Sequence, residues 1–463
     1  MPFRVWPIPA KAVTAGILAA GLGFSLAANL PGHLSYDSVI QLLEGRQAAY
    51  GNWHPPIMSW LLGAFDALAP GTSLFVIWCA FLLYASAFSL LLLPGKVSWA
   101  AAATALFCVI APQFFLYPGI VWKDVLFAVL AVAAFICLTH AGEQWRRERQ
   151  RFGLIAISCL LLAMAALARQ NGAVVVPVAA IALGWIAARH STARQGLVYS
   201  VAMFVAVACV ALAARAALET RVYGDKGPLA QIQLLQTYDI IGALKADPDF
   251  SLALIESDDP DLARELRTDG VKLYTPERND TLTKSQPLQK ALNNADPDVI
   301  SAQWYDLVLH HTWLYLKIRW EIFRWVFLTP NLNACVPYEV GVDGPPSVLS
   351  ALGIAERMDS RDLALENYGK AFVGTPILSH LAAALLAVAE LIALLRRKRD
   401  ADIAIAAMLA SALIFTLTFF VISIACDYRY LYFLDVSALI ALLYLMRDAK
   451  ILSTAHWLSR HNT

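Results

Sequence analysis

A chain of 463 residues with 59% apolar and 15% charged side chains falls well below the roughly 25% charge of soluble proteins. Its 36 basic and 35 acidic residues leave a net charge of +1, which offers no basic field for nucleic acid. A disordered chain, a disulfide-stapled miniprotein and a single soluble domain are excluded.

Ten apolar runs approach the roughly 20 residues that cross a bilayer core. They lie at about 11–30, 72–93, 98–117, 120–140, 152–168, 171–188, 195–216, 371–395, 403–425 and 429–446. A helix is the open-chain element that satisfies its own backbone in lipid, so these runs predict an all-α polytopic membrane protein of about ten helices. The first run has a second reading as a signal peptide, flanked by Arg4 and Lys11 and ending near Ala27-Ala28. Its length favours a span.

Basic residues orient the chain. Arg146, Arg147, Arg149 and Arg151 follow the fourth run, Arg189 and Arg194 the sixth, and Arg396, Arg397, Lys398 and Arg399 the eighth. Lys96 follows the second run, and Arg447 and Lys450 the tenth. Every cluster follows an even-numbered run, so one alternating path puts all of them and both termini in the cytoplasm. Three regions result: an N-terminal transmembrane module, 1–216, with a first external loop at 31–71; an external domain, 217–370; and a C-terminal transmembrane module, 371–463.

Residues 217–310 hold 25 charged side chains in 94, the density of a water-facing domain. The stretch 311–329 is apolar but interrupted by Lys317, Arg319, Glu321 and Arg324. Counting it as a span would invert everything after it, so it is expected to lie as an amphipathic helix in the interface, with Trp313, Trp320 and Trp325 at headgroup level. Five cysteines fall within spans. Cys335 and Cys426 both fall on the external side, where a disulfide can form in an oxidising compartment. There is no CxxC pair, HExxH helix, P-loop or GxGxxG.

Five polar runs gather at the external surface. Ser35-Tyr36-Asp37-Ser38 opens an amphipathic stretch, with Ser35 or Asp37 as an N-cap, or Asp37 as a base for an acceptor hydroxyl. Gly51-Asn52-Trp53-His54-Pro55-Pro56 holds His54 at a helix entrance; it is a polar interfacial turn or a functional imidazole. Lys123-Asp124 opens the fourth span. Asp124 suits a helix N-terminus, but Lys123 opposes the helix dipole and needs an anion, either a carboxylate such as Asp37 or a phosphate. Arg169-Gln170-Asn171-Gly172 forms a short turn in which Arg169 caps the preceding helix or binds phosphate through its planar fork. Asp427-Tyr428-Arg429-Tyr430 opens the last span, with Asp427, Leu431 and Asp435 spaced to share a helix face. An Asp427–Arg429 or Asp435–Arg429 ion pair is the structural alternative to a functional role there.

This pattern resembles the multi-spanning GT-C glycosyltransferases, among them the protein O-mannosyltransferases and the lipid A aminoarabinose transferases. Asp37 soon after the first span, followed by helices expected at 36–49 and 57–69, is similar to their first external loop with its essential Asp and two membrane-parallel helices. His54-Pro55-Pro56 resembles the His-Pro-Pro of the O-mannosyltransferase loop. The sequence departs from many relatives in having Asp37-Ser38 where they have an Asp-Glu pair.

The resemblance implies transfer of a sugar from a polyprenyl-phosphate donor to a hydroxyl acceptor on a glycan, lipid or protein, at the external face of a bacterial inner membrane. Asp37 and His54 would then be catalytic. Lys123, Arg169 and Arg429 would hold the donor phosphate, supported by Tyr36, Asp124, Asn171, Asp427 and Tyr430. No metal site is evident in the sequence, although a divalent metal could assist the phosphate. A transporter or flippase of lipid-linked sugars, or a non-catalytic membrane scaffold, are the alternatives.

Overall fold

The structure is a computed structural model that describes residues 9–51, 53–223 and 227–448; Arg4, Asn52 and Lys450 lie outside the described residues. Among these, eight helices are long and apolar enough to cross a membrane. In chain order the helices of twelve or more residues up to residue 219 are α1 (Ala10–Asn29), α2 (Tyr36–Gln47), α3 (Pro56–Leu68), α4 (Ser73–Ser89), α5 (Trp99–Ile110), α6 (Lys123–Glu143), α7 (Glu148–Ala168), α8 (Val175–His190) and α9 (Ala193–Glu219). The later long helices are α10 (Gly227–Ala246), α11 (Thr312–Leu328), α12 (His380–Arg397), α13 (Asp400–Ile422) and α14 (Tyr432–Met446).

Two of the ten runs differ from expectation. The third is not straight: α5 meets a short helical piece, Pro112–Gly119, at 71°. Pro112 lacks an N–H and forces Ala111 into extended backbone, so the helix cannot continue. The eighth begins at His380 rather than 371, because residues 371–379 form turns and a 3-10 segment. Glu390, Arg396 and Arg397 make α12 less apolar than its neighbours.

α6 is the centre of the bundle. Every residue from Asp124 to Ile136 is buried, whereas the 27 residues of α9 bury only four. The start of α6, with Lys123 and Asp124, is therefore walled by protein and not by lipid. The segment before it is clasped on both sides. His33 N–H donates to the Gly119 carbonyl (2.9 Å) and Val121 N–H to the His33 carbonyl (3.0 Å). Leu34 N–H donates to the Gly341 carbonyl and Asp343 N–H to the Leu34 carbonyl, both at 2.9 Å. These bonds fix 33–34, 119–121 and 341–343 in one register, three residues before Asp37.

α2 and α3 cross at glycines. A Cβ on Gly45 would lie 2.1 Å from the Ser59 carbonyl oxygen, and one on Gly63 would lie 2.2 Å from the Gly45 carbonyl oxygen. The pair is further tied by Glu44, which accepts from Ser59 Oγ (2.7 Å) and Gly51 N–H (2.9 Å). The only described sheet is a parallel pairing of Tyr50–Gly51 with Val222–Tyr223.

Residues between Tyr238 and Ile322 build a second apolar core apart from that of the bundle. One link to the bundle is Arg319 on α11, fully buried. Arg319 pairs with Asp239 (2.8 Å) and donates to the carbonyls of Phe420 and Ser423, each at 2.8 Å, at the end of α13. The guanidinium thus satisfies helix-end carbonyls that would otherwise be orphaned. Trp313 and Trp320 lie on the opposite, exposed side of α11. Cys335 and Cys426 form a disulfide, closing the chain between α11 and the turn before α14.

Candidate functional site

The five polar runs meet at one end of the bundle. Ser35 and Ser38 shape the start of α2: Ser35 N–H donates to Ser38 Oγ (3.3 Å), Ser38 Oγ donates to the Val121 carbonyl (2.6 Å), and Trp122 Nε1 donates to Ser35 Oγ (3.1 Å). The two serines close this turn, so Asp37 is not needed as a cap and its carboxylate is free for other partners. One oxygen, Oδ2, lies 3.3 Å from Arg429 Nη2, and the other, Oδ1, lies 3.7 Å from His54 Nε2. Pro55 and Pro56 start α3 with Pro56 at its first position, and this holds His54 just before the helix.

His54 bridges an acid and a base. Its Nδ1 accepts from Lys123 Nζ at 3.3 Å while Nε2 faces Asp37. The tautomer assigned by those partners carries its proton on Nε2. Lys123 therefore sits at the helix end that disfavours a cation, with a ring nitrogen and not a carboxylate as its hydrogen-bond partner.

Arg429 is the hub. It approaches Asp37, donates to Asp427 Oδ2 (3.0 Å), and has Nε 3.7 Å from Asp124 Oδ2. Its guanidinium lies 4.9 Å from the centre of the buried Trp122 ring, a cation–π contact. Asp124 also pairs with Arg169. Arg169 packs against Phe419 and Tyr430, each at 5.2 Å, and donates to Asn171 Oδ1 at 3.3 Å. Asn171 in turn donates to Thr418 Oγ1 (2.8 Å), which fixes the turn to α13.

Asp37, His54, Lys123, Asp124, Arg169, Asn171, Asp427, Arg429 and Tyr430 are thus in one connected cluster. Tyr36 is not: the residue is 58% exposed. Helical phase explains this, since Tyr36 and Asp37 are adjacent on α2 and face different directions. Asp427 and Asp435 do not share a helix face either. Residues 428–431 are 3-10 and α14 begins only at Tyr432, so Asp435 turns inward to His380 Nδ1 (2.9 Å) and Tyr428 Oη (2.8 Å). Arg169 pairs with Asp124 instead of capping α7, and Lys123 meets His54 instead of Asp37.

Two members carry no sequence signal. Arg278 donates to Asp427 Oδ1 at 2.9 Å and to the Ala334 carbonyl at 3.3 Å, beside the disulfide. It lies in a charge-rich stretch where nothing distinguishes one arginine from eight other cations. Glu339 is half-buried within electrostatic reach of Arg429 and Asp343. Burial and the Asp343 charge push its carboxyl up to about 7 against the pull of Arg429. Asp37 behaves oppositely. Burial would raise its carboxyl, but the hydrogen bond from His54 and the charges of His54, Arg429 and Lys123 reverse this and hold it well below the usual carboxylate range.

Asp37, Asp124 and Asp427 all face the Arg429 guanidinium, which occupies the point they share. Among the described residues, no group of three or more His, Cys, Asp or Glu side chains is arranged to hold a metal ion.

No family model and no curated protein matches the chain. Two solved structures are similar to it. One is the oligosaccharyltransferase of Archaeoglobus fulgidus in complex with Zn and sulfate, at 14% identity and a TM-score of 0.40, covering 95% of this chain and 50% of that one. The other is the archaeal oligosaccharyltransferase AglB from Archaeoglobus fulgidus with an inhibitory peptide and a dolichol-phosphate, at 13% identity and a TM-score of 0.40, covering 96% and 51%. This chain spans about half the length of those proteins, and a superposition that loose assigns no activity.

Proposed function

We propose that this protein is a GT-C type glycosyltransferase that moves a sugar from a polyprenyl-phosphate donor to a hydroxyl acceptor at the non-cytoplasmic face of a bacterial inner membrane. One observation carries the reading: polar runs spread over nearly 400 residues converge into a single cluster of cations and carboxylates at one end of an apolar bundle. The Arg146–Arg151 and Arg396–Arg399 clusters belong to the opposite ends of the helices. The Cys335–Cys426 disulfide lies beside Asp427, which favours an oxidising compartment for this face.

In the proposed reaction the acceptor oxygen attacks the anomeric carbon and the bond to the phosphate oxygen breaks, leaving the electron pair on the phosphate. Lys123 and Arg429 stabilise that growing charge through charge-assisted hydrogen bonds, which strengthen as the phosphate departs. Arg169 neutralises Asp124 so that the phosphate does not meet a bare carboxylate. Asp37 is too weak a base to take a proton while its ion pairs hold; it orients the acceptor hydroxyl. Glu339, ionising near neutrality, is suited to receive the proton.

Purified protein incubated with radiolabelled polyprenyl-phosphate sugars should release polyprenyl phosphate and label an acceptor pool. The Asp37→Asn variant should insert normally and transfer nothing. Movement of donor between leaflets without bond cleavage would replace this reading with a transporter, and wild-type turnover by Asp37→Asn would remove Asp37 from the mechanism.

A further inference from the structure

At the end of the bundle opposite the Asp37–Arg429 cluster, a cavity of about 450 Å³ opens between the end of α6, the loop 144–147, the segment after α4 and the start of α13. Its volume lies in the range of small-ligand sites. None of the residues discussed above as catalytic or phosphate-binding reaches it.

The charges around it do not cancel. Asp400 is already held by Arg189 Nε (2.8 Å) and His190 Nε2 (2.7 Å). Glu143 takes the Ala401 N–H at the start of α13. Arg146 and Arg147 also line the cavity, and Arg147 reaches the Gln150 amide at 3.5 Å; among the described residues neither arginine pairs with an acid. Asp400 and Glu143 bring two acids against the three guanidiniums of Arg146, Arg147 and Arg189, so one cation stays in excess.

The loop that carries them is anchored at Trp145. The Trp145 ring stacks on His190 with centroids 5.3 Å apart, and Arg151 covers it at 4.7 Å while donating to the Trp145 carbonyl at 2.6 Å. Arg146 and Arg147 are thereby presented without a loop having to order on binding. The segment Leu92–Pro94 supplies an apolar wall, and Leu92 is 62% exposed at the end of a membrane-crossing element. Arg447 pins this wall by donating to the carbonyls of Leu93 (2.8 Å) and Pro94 (3.0 Å). Orientation of the chain in the membrane accounts for arginines at this end; it does not account for a walled cavity with an apolar side.

We infer that this cavity binds a phosphate-bearing anionic ligand, with Arg146 and Arg147 on the phosphate and Leu92–Pro94 against its apolar part. An anionic phospholipid headgroup with its chain along Leu92 satisfies both walls. A water-soluble phosphate ester satisfies only the arginines. A zwitterionic headgroup brings no net charge to meet the excess cation.

The full-length protein in a neutral detergent provides the test, read by native mass spectrometry and thermal unfolding. The probes are phosphatidylglycerol, phosphatidylcholine and glycerol 3-phosphate. Phosphatidylglycerol should bind and stabilise, phosphatidylcholine should not, and the exposed double variant R146A/R147A should bind phosphatidylglycerol roughly 10- to 30-fold more weakly with an unchanged unliganded Tm. Protection by phosphatidylglycerol alone identifies the source as lipid, and equal protection by glycerol 3-phosphate identifies it as a soluble ester. Undiminished phosphatidylglycerol binding by the double variant, or equal binding of phosphatidylcholine, overturns the assignment. The readout does not involve sugar transfer, so it stands or falls apart from the proposed activity.

Discussion

Arg429 meets Asp37 across 392 residues of chain, with Nη2 3.3 Å from Oδ2. The segment joining α1 to α4 and the entrance to the last helix are therefore held together by one guanidinium, which also faces Asp124 and Asp427. Arg429 is the cation common to all three acids, each of which also has a partner of its own: His54 for Asp37, Arg169 for Asp124 and Arg278 for Asp427.

Removing that cation should cost more than one ion pair. Arg429→Gln leaves three carboxylates facing one another in a largely buried site, and breaking a buried pair from one side costs about 3–5 kcal/mol. The expected result is a clear fall in Tm, partly reversed in the double variant Asp37→Asn with Arg429→Gln, because the neighbours couple. Additive Tm losses in the two single variants would mean that the acids do not feel each other through Arg429.

Lys123 should respond differently. Its hydrogen-bond partner is the His54 ring nitrogen, so Lys123→Ala strands no carboxylate and should alter Tm much less than Arg429→Gln. Under the proposed function it removes a charge-assisted bond to the donor phosphate, of about 1.5–3 kcal/mol, or roughly 10- to 100-fold in donor affinity. Titration of both proteins with a polyprenyl phosphate measures this. Equal affinity would assign Lys123 to holding His54 alone.

Much of the fold is legible in the sequence because lipid leaves few choices. Apolar runs of spanning length must be helices, and the arginine clusters sort their ends. What pattern cannot supply is geometry at chain breaks. Pro112 is visible in the sequence, but the 71° bend it produces is not. The spacing of Asp427 and Asp435 suggests a shared face only if the helix is continuous, and the 3-10 turn at 428–431 breaks that condition. The polar runs are conspicuous against apolar surroundings, so Asp37, His54, Lys123, Arg169 and Arg429 can be picked out singly. Their pairing cannot, because any of several acids suits each cation. Arg278 stays hidden for the opposite reason: in a charge-rich segment one more charge is not a signal. Glu339 stays hidden because no pattern in the loop around it ties it to residues far away in the chain.

The α2–α3 crossing makes a local substitution a test of the site at a distance. Gly45→Ala would put a methyl group 2.1 Å from a backbone oxygen, which no rotamer change relieves. The helices must separate, and they carry Asp37 and His54 respectively. The expected outcome is loss of stability of about 1–3 kcal/mol, the usual scale of overpacking, together with loss of transfer activity. Gly353→Ala is a suitable control for stability alone, since its open surroundings leave only the backbone term at φ +67°. Retained activity in Gly45→Ala at reduced Tm would show that Asp37 and His54 tolerate displacement.

His33 gives the fold a defined acid sensitivity. It is fully buried, its Nε2 meets Asn29 Oδ1 at 3.0 Å, and its Nδ1 accepts the Gly341 N–H at 3.0 Å. That acceptor role requires a neutral ring. Burial lowers its pKa from 6.5 to about 4, more than nearby Asp362 raises it. The unfolded chain therefore binds more protons than the native one between those values, and stability must fall as pH drops from about 6.5 toward 4. The shift corresponds to about 3 kcal/mol, all of it present above pH 6.5 and gone below about 4. Because the His33 backbone bonds to Gly119 and Val121, the expected first consequence is loosening of the clasp that sets Asp37 beside Lys123. Tm measured from pH 7 to pH 4 in the wild type and in His33→Gln, which keeps an acceptor for Gly341 but cannot ionise, should diverge in slope across this window. Parallel curves would assign the acid sensitivity to another group.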